Sequence, residues 1–239
     1  RGILLSGGAD SSGTVPLERH LDEITAIKHE LGLKVVVHTG LVSEELALGL
    51  KAAGIDSAML DVIGADETIR DIYHLDATVE DYERSVAFLT RCGVPTVPHI
   101  VLGLHRGRLV GEEAALSMVA RYPISALVLV VITPLDGTPM ERVATPGEED
   151  LERLFEKARL LLPHTPIVLG CARPMGPLRV AIDRLAVDCG LNGIAYPADG
   201  IVEYARQRGL SPRFYEECCS LVYEVIMHKD DRVEHMATP

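Results

Sequence analysis

Residues 3–12 read ILLSGGADSS. Three apolar residues, Ile3, Leu4 and Leu5, run into a turn of Ser6, Gly7, Gly8, Ala9, Asp10, Ser11 and Ser12. A short apolar run that ends in glycines has the form of a strand buried on both faces and opening into a loop. Taken alone, S-G-G-x-D-S also has the form of a pyrophosphate loop, where backbone N–H groups at a helix N-terminus hold the phosphates of ATP. That reading asks for a helix directly after the serines. Gly13 and Pro16 intervene, and the next helical stripe begins only at Leu17. A strand-to-helix turn that receives some other group fits the spacing better.

Working outward, the same unit repeats. Short apolar runs at 3–5, 34–38, 58–63, 96–102, 126–132, 167–169 and 193–195 alternate with amphipathic stretches. Leu17, Leu21, Ile24, Ile27 and Leu31 form one helical stripe, and Leu151, Leu154, Phe155, Ala158 and Leu161 another. Leu178, Ile182, Leu185, Ala186 and Cys189 form a third. Each has the i, i+3, i+4 spacing of a helix packed on a sheet. Strand–helix alternation of this length specifies a parallel sheet, open or closed into a barrel. A further helix is expected over 212–227, carrying Phe214, Cys218, Cys219, Leu221, Val222 and Val225. The expected organisation is one α/β unit over 1–228 and a charged tail at 229–239.

Composition narrows the function classes. Among 239 residues the formal net charge is -12, which argues against a nucleic-acid partner held by bulk electrostatics. No apolar run is long enough to span a bilayer and no signal peptide is visible, so no membrane partner is expected and the expected location is the cytoplasm. Five cysteines with no C-x-x-C spacing argue against a secreted disulfide framework.

In parallel β/α folds ligands bind at the C-terminal ends of the strands. Those ends carry S-G-G-A-D, then His38-Thr39-Gly40, Asp61 to Gly64, His99 to Gly107, Ile132 to Met140, Gly170 to Gly176 and Ala195 to Gly200. Turn residues alone would not bring His38, Asp61, His99 and His105 to one end. These histidines are candidate substrate contacts, and Arg106 and Arg173 are candidate carboxylate anchors, since guanidinium pairs with carboxylate in two-point fashion. Asp66 and Glu67 are expected to cap a helical turn.

Taken in order, these strand ends resemble the radical S-adenosylmethionine (radical SAM) enzymes, in the branch near biotin synthase and the lipoate-forming enzymes. The resemblance implies a TIM-type parallel (β/α)8 barrel whose first β/α unit is missing from this chain. It implies that Ser6, Gly7 and Gly8 receive the methionyl end of S-adenosylmethionine, although Ala9 stands where the family carries Glu. It places Asp61 near the cofactor ribose. Ile100 and Gly103 would pack on adenine, and the backbone of Ile132, Thr133 and Pro134, followed by G-T-P-M at 137–140, would contact it. The family holds a 4Fe-4S cluster with a C-x-x-x-C-x-x-C motif after its first strand. This chain has no such motif, and its first strand matches the family's second, so the cluster ligands are expected upstream of Arg1. Cys171, Cys218 and Cys219 resemble features from which an auxiliary cluster or sulfur site could be built. The implied activity is reductive cleavage of the cofactor to a 5′-deoxyadenosyl radical, for C–H functionalisation or sulfur insertion in cofactor biosynthesis. An external electron donor and a small-molecule or carrier-bound substrate follow from it. An ATP pyrophosphatase that adenylates a substrate, and a non-catalytic barrel partner, are the alternatives.

Overall fold

A computed structural model describes residues 1–227, so the tail expected at 229–239 lies outside the described residues. Seven strands form one sheet: β1 (Gly2–Leu5), β2 (Lys34–His38), β3 (Ser57–Asp61), β4 (Thr96–Leu102), β5 (Leu127–Val131), β6 (Ile167–Leu169) and β7 (Gly193–Ile194). Every pair is parallel and each strand lies beside its neighbour in sequence. Between them run α1 (Leu21–Glu30), α2 (Glu44–Ala52), α3 (Asp66–Thr68), α4 (Val79–Arg91), α5 (Glu112–Val119), α6 (Glu148–Leu161), α7 (Pro177–Asp188) and, after β7, α8 (Ile201–Gln207). A 3-10 turn (Leu17–His20) precedes α1, and α3 passes into a π-helical turn (Ile69–Tyr73). β1 and β7 do not pair with one another, so the sheet is a partial TIM-type barrel, curled but open.

Local signals account for the helix starts. The Ser43 hydroxyl accepts from Leu46 N–H at the head of α2 (3.1 Å). Thr78 and Asp81 form a capping box on α4. Asp66 does cap a helix, but not its own turn. Its carboxylate accepts from Val79 N–H (2.8 Å) and so tethers the β3 loop to the start of α4.

The period-2 alternation of the strands divides the core in two. Leu60, Ile100, Leu102, Leu127 and Leu129 face outward and pack with Leu46, Leu89, Leu116 and Phe155 of the helices. Val36 and Met59 face inward and meet Leu221, while Val97, Val128 and Val168 meet Val222. One short segment therefore touches strands β2 to β6, which places it inside the curl of the sheet.

That segment corrects an expectation. The helix anticipated over 212–227 is formed only at 222–227, and 210–218 is irregular. Phe214, counted as the start of the stripe, is 73% exposed. The apolar i, i+3, i+4 pattern is dense only from residue 218 onward. Upstream of it, Tyr215 still packs on the inner core, but Phe214 points out and no helical stripe forms. The foot of the segment is fixed at the N-terminal ends of the strands: Tyr223 donates to the Asp56 carbonyl (2.9 Å), and Lys34 pairs with Glu224 (3.0 Å). Asp56 itself accepts from Lys28, from Val35 N–H (2.7 Å) and from Lys34 (3.0 Å). Burial pushes its carboxyl up, but these donors outweigh it and hold it below the usual carboxylate range.

Candidate functional site

The inward-facing register carries past the apolar layer to the strand C-termini. His38 follows Val36 on β2, Asp61 follows Met59 on β3, and His99 follows Val97 on β4. Asp61 and His99 are register partners across the β3–β4 pair. The three side chains therefore converge at the mouth of the curled sheet. His38 Nε2 lies 3.8 Å from Asp61 Oδ1, within ion-pairing range but too long for a hydrogen bond. Tyr73, from the π-helical turn, donates its hydroxyl to Asp61 Oδ2 at 3.3 Å. The His38 and His99 rings meet edge-on, with centroids 6.3 Å apart.

The electrostatics are those of a half-buried anion with two imidazoles. Burial pushes the Asp61 carboxyl up, but His38, His99 and the Tyr73 hydroxyl outweigh it and hold it below the usual carboxylate range. The adjacent Asp61 carboxylate pulls His38 up from its ordinary value. His99 is pushed down by burial. Its Nδ1 contacts the Val97 carbonyl at 3.1 Å, and a carbonyl only accepts, so the proton sits on Nδ1. Nε2 is then the acceptor, 3.9 Å from the Cys219 thiol. Burial pushes that thiol up to about 12, so it remains an S–H.

The loop ends around this cluster vary in fit to their expected roles. Ser6, Gly7 and Gly8 are exposed at the end of β1, and a Cβ at Gly8 would meet nothing within 4 Å, so a ligand can approach the backbone there. Asp10 Oδ1 accepts from Ser12 N–H (2.8 Å) and Thr14 N–H (3.2 Å), closing a turn on itself. The 3-10 turn at Leu17–His20 follows only after it, so the loop lacks the adjoining α-helix a phosphate cradle uses. Gly103 adopts φ +81°, and a Cβ there would meet Pro146 at 2.7 Å and Ile132 at 3.0 Å. Its N–H donates to Glu112 Oε1 (3.0 Å), a carboxylate buried beneath the loop. Ile132, Thr133 and Pro134 lie half-buried beside it.

Several sequence-derived roles need correction. Ile100 is 1% exposed and packs in the helix-facing core, so it cannot lie against a ligand in the mouth. Successive strand residues face opposite sides, and Ile100 takes the helix side while its neighbour His99 takes the mouth side. Arg173 is no free anchor. Its guanidinium is fully buried and bonded to Asp183 (2.6 and 3.1 Å) and to the Gly170, Ala195 and Tyr196 carbonyls. His105 is buried and bonded through Nδ1 to Thr68 Oγ1 (2.9 Å), away from Asp61; with Arg106 it lines a separate hollow. Cys171 and Cys218 are exposed while Cys219 turns toward His99, and no group of three His, Cys, Asp or Glu side chains able to hold a metal ion occurs among the described residues. Tyr73 and Glu112 escaped the sequence reading. The only signal for Tyr73 was its place a few residues beyond a strand end.

No family model matches the chain. It is 27% identical over 186 residues to biotin synthase 2 of Polaromonas sp., covering 76% of this chain and 53% of that one. To the biotin synthase of Chlorobium limicola it is 28% identical over 173 residues, covering 72% and 51%. The chain thus spans about half the length of the curated relatives it matches. Among solved structures, HydG, a maturase of the FeFe-hydrogenase, superposes with TM-score 0.62 at 14% identity, over 93% of this chain and 54% of that one. In fold the chain is a partial parallel β/α barrel. In sequence it is similar to the biotin synthase branch. Among the described residues no helix is long and apolar enough to cross a membrane.

Proposed function

We propose that this chain is the S-adenosylmethionine-binding barrel of a radical enzyme that works in cofactor biosynthesis. The observation that carries this reading is the anionic Asp61, flanked by His38, His99 and Tyr73 at the strand C-termini of a barrel similar in sequence to biotin synthases. When bound with a reduced 4Fe-4S cluster, the cofactor supplies a 5′-deoxyadenosyl radical for hydrogen abstraction. Among the described residues no group of three His, Cys, Asp or Glu side chains is able to hold a metal ion.

The chain's own residues fit the cofactor at three points. Asp61 stays ionised at neutral pH and accepts from the ribose hydroxyls. The uncrowded backbone at Gly7 and Gly8 receives the methionyl group. The turn at Gly103, fixed by Glu112, and the backbone at Ile132 to Pro134 give the adenine a flat wall, with the Thr133 N–H and the backbone carbonyls as its polar partners. His38 and His99 then face the substrate. The Leu221 and Val222 layer below excludes water from the floor of the mouth. The substrate is a small or carrier-bound molecule, an external donor supplies electrons, and the reaction is C–H functionalisation or sulfur insertion.

The test is anaerobic reconstitution, with iron and sulfide, of the protein extended to include a cysteine motif, followed by dithionite and S-adenosylmethionine. Formation of 5′-deoxyadenosine, reduced at least about tenfold in Asp61→Asn, supports the reading. Pyrophosphate release from ATP without 5′-deoxyadenosine would replace it with the adenylating alternative.

A further inference from the structure

A hollow of about 430 Å³ lies on the rim outside the mouth, between the segment that follows β3 and the loop that follows β4. Arg70, Asp71, His74, His105, Arg106 and Arg108 line it. In a chain of net charge -12, three arginines here face one aspartate. Arg70 pairs with Asp71 at 3.0 Å. Arg106 and Arg108 make no ion pair or side-chain hydrogen bond among the described residues, so two positive charges stay uncompensated.

The structure around these charges is unusual in three respects. Only three non-glycine residues among those described have positive φ, and two of them, His74 (+55°) and Arg106 (+53°), line this hollow. Left-handed backbone disfavours a residue with a Cβ, and such residues gather at functional sites. A tight turn served only by geometry would carry Gly or Asn at position 106. The second feature is the π-helical turn Ile69–Tyr73, a form found mostly at functional sites, which presents Arg70 and ends at His74. The third is His105, 5% exposed, whose Nδ1 is bonded to Thr68 Oγ1 at 2.9 Å and ties the two rim segments together. Its Nε2 has no partner among the described residues.

We infer that this hollow is an anion subsite that takes the dianionic phosphate of a small phosphate monoester. Two uncompensated guanidinium groups match a charge of two. Their several N–H donors suit a group with three terminal oxygens better than a carboxylate with two oxygens and one charge. The subsite stands apart from Asp61 and does not depend on the radical reading.

The test is calorimetric titration of the chain with inorganic phosphate at about pH 7.5, where the dianion dominates, and at constant ionic strength. Saturable binding is expected, weakened at least about tenfold in Arg106→Gln/Arg108→Gln and unchanged in Arg206→Gln on α8. Arg106→Gly, which relieves the left-handed backbone, is expected to keep the fold by circular dichroism and still lose affinity. Sulfate should compete, and acetate should bind at least about tenfold more weakly. Equal phosphate binding by the wild type and the double variant, no saturable heat, or acetate binding as tightly as phosphate would each overturn the assignment.

Discussion

At the β6–β7 rim, Arg173 has each of its five N–H donors engaged: two by Asp183 and three by the Gly170, Ala195 and Tyr196 carbonyls. Asp183 accepts one bond more, from Ala198 N–H (2.8 Å). At the β2–β4 rim, Asp61 meets His38 only at 3.8 Å and Tyr73 at 3.3 Å, and His99 has Cys219 at 3.9 Å. Both clusters are built from ordinary polar and charged residues of the strands and of the segments that follow them. The first is saturated and fixes the shape of the loops. The second is held loosely and keeps lone pairs that no close partner among the described residues engages. Saturation, rather than residue type, separates a structural cluster from a binding one.

Breaking the saturated side should have the largest effect. Arg173→Met leaves Asp183 buried and unpaired, and is expected to lower unfolding free energy by about 3–5 kcal/mol in urea titrations. Arg173→Met/Asp183→Leu should recover part of that loss. If Arg173→Met proves neutral, the contrast between the rims fails.

A middle case lies at the base of the barrel, where Asp56 is also well satisfied. Asp56→Asn is expected to cost about 1–3 kcal/mol. The native carboxyl is held low, so its stabilisation is present above the unfolded value of about 3.9 and is lost as pH falls through the lower folded value. Urea unfolding followed down into acid should show a steeper loss for the wild type than for the Asn variant.

The loose side should respond least in stability and most in titration. Asp61→Asn is expected to change unfolding free energy by less than about 1 kcal/mol. It should, however, lower the His38 titration midpoint measured by NMR. His38 is raised in the folded state, so the stabilisation from this pair is complete below the unfolded value of about 6.5 and disappears as pH rises through the folded value. The smallest effect concerns thiols. Cys219, pushed up to about 12, should be alkylated at neutral pH more slowly than the exposed Cys171 and Cys218, as mass spectrometry of timed samples would show.

The contrast also explains what was legible in the sequence. Strand order and the mouth were readable because apolar runs and Gly-rich ends repeat with a fixed sense along the chain. His38, Asp61 and His99 come together because they lie on three neighbouring strands with the same inward-facing register. Arg173 was misjudged because its partner Asp183 sits on a helix, and nothing in the order of residues says that the two interlock. Ile100 was misplaced because successive residues on a strand face opposite sides, and it takes the helix side. The segment before Val222 was given too much helix because its apolar spacing serves the inner face of the sheet, a contact made only after the barrel has curled.

We propose that the loose cluster at the mouth receives S-adenosylmethionine. This binding is tested most directly by following the histidine ring signals by NMR while that compound, and separately ATP, is added to the chain. The expected result is saturable movement of the His38 and His99 signals with S-adenosylmethionine, abolished in Asp61→Asn, and none with ATP. Silent histidines, with ATP instead shifting the backbone signals of Ser6 to Ser12, would contradict the account.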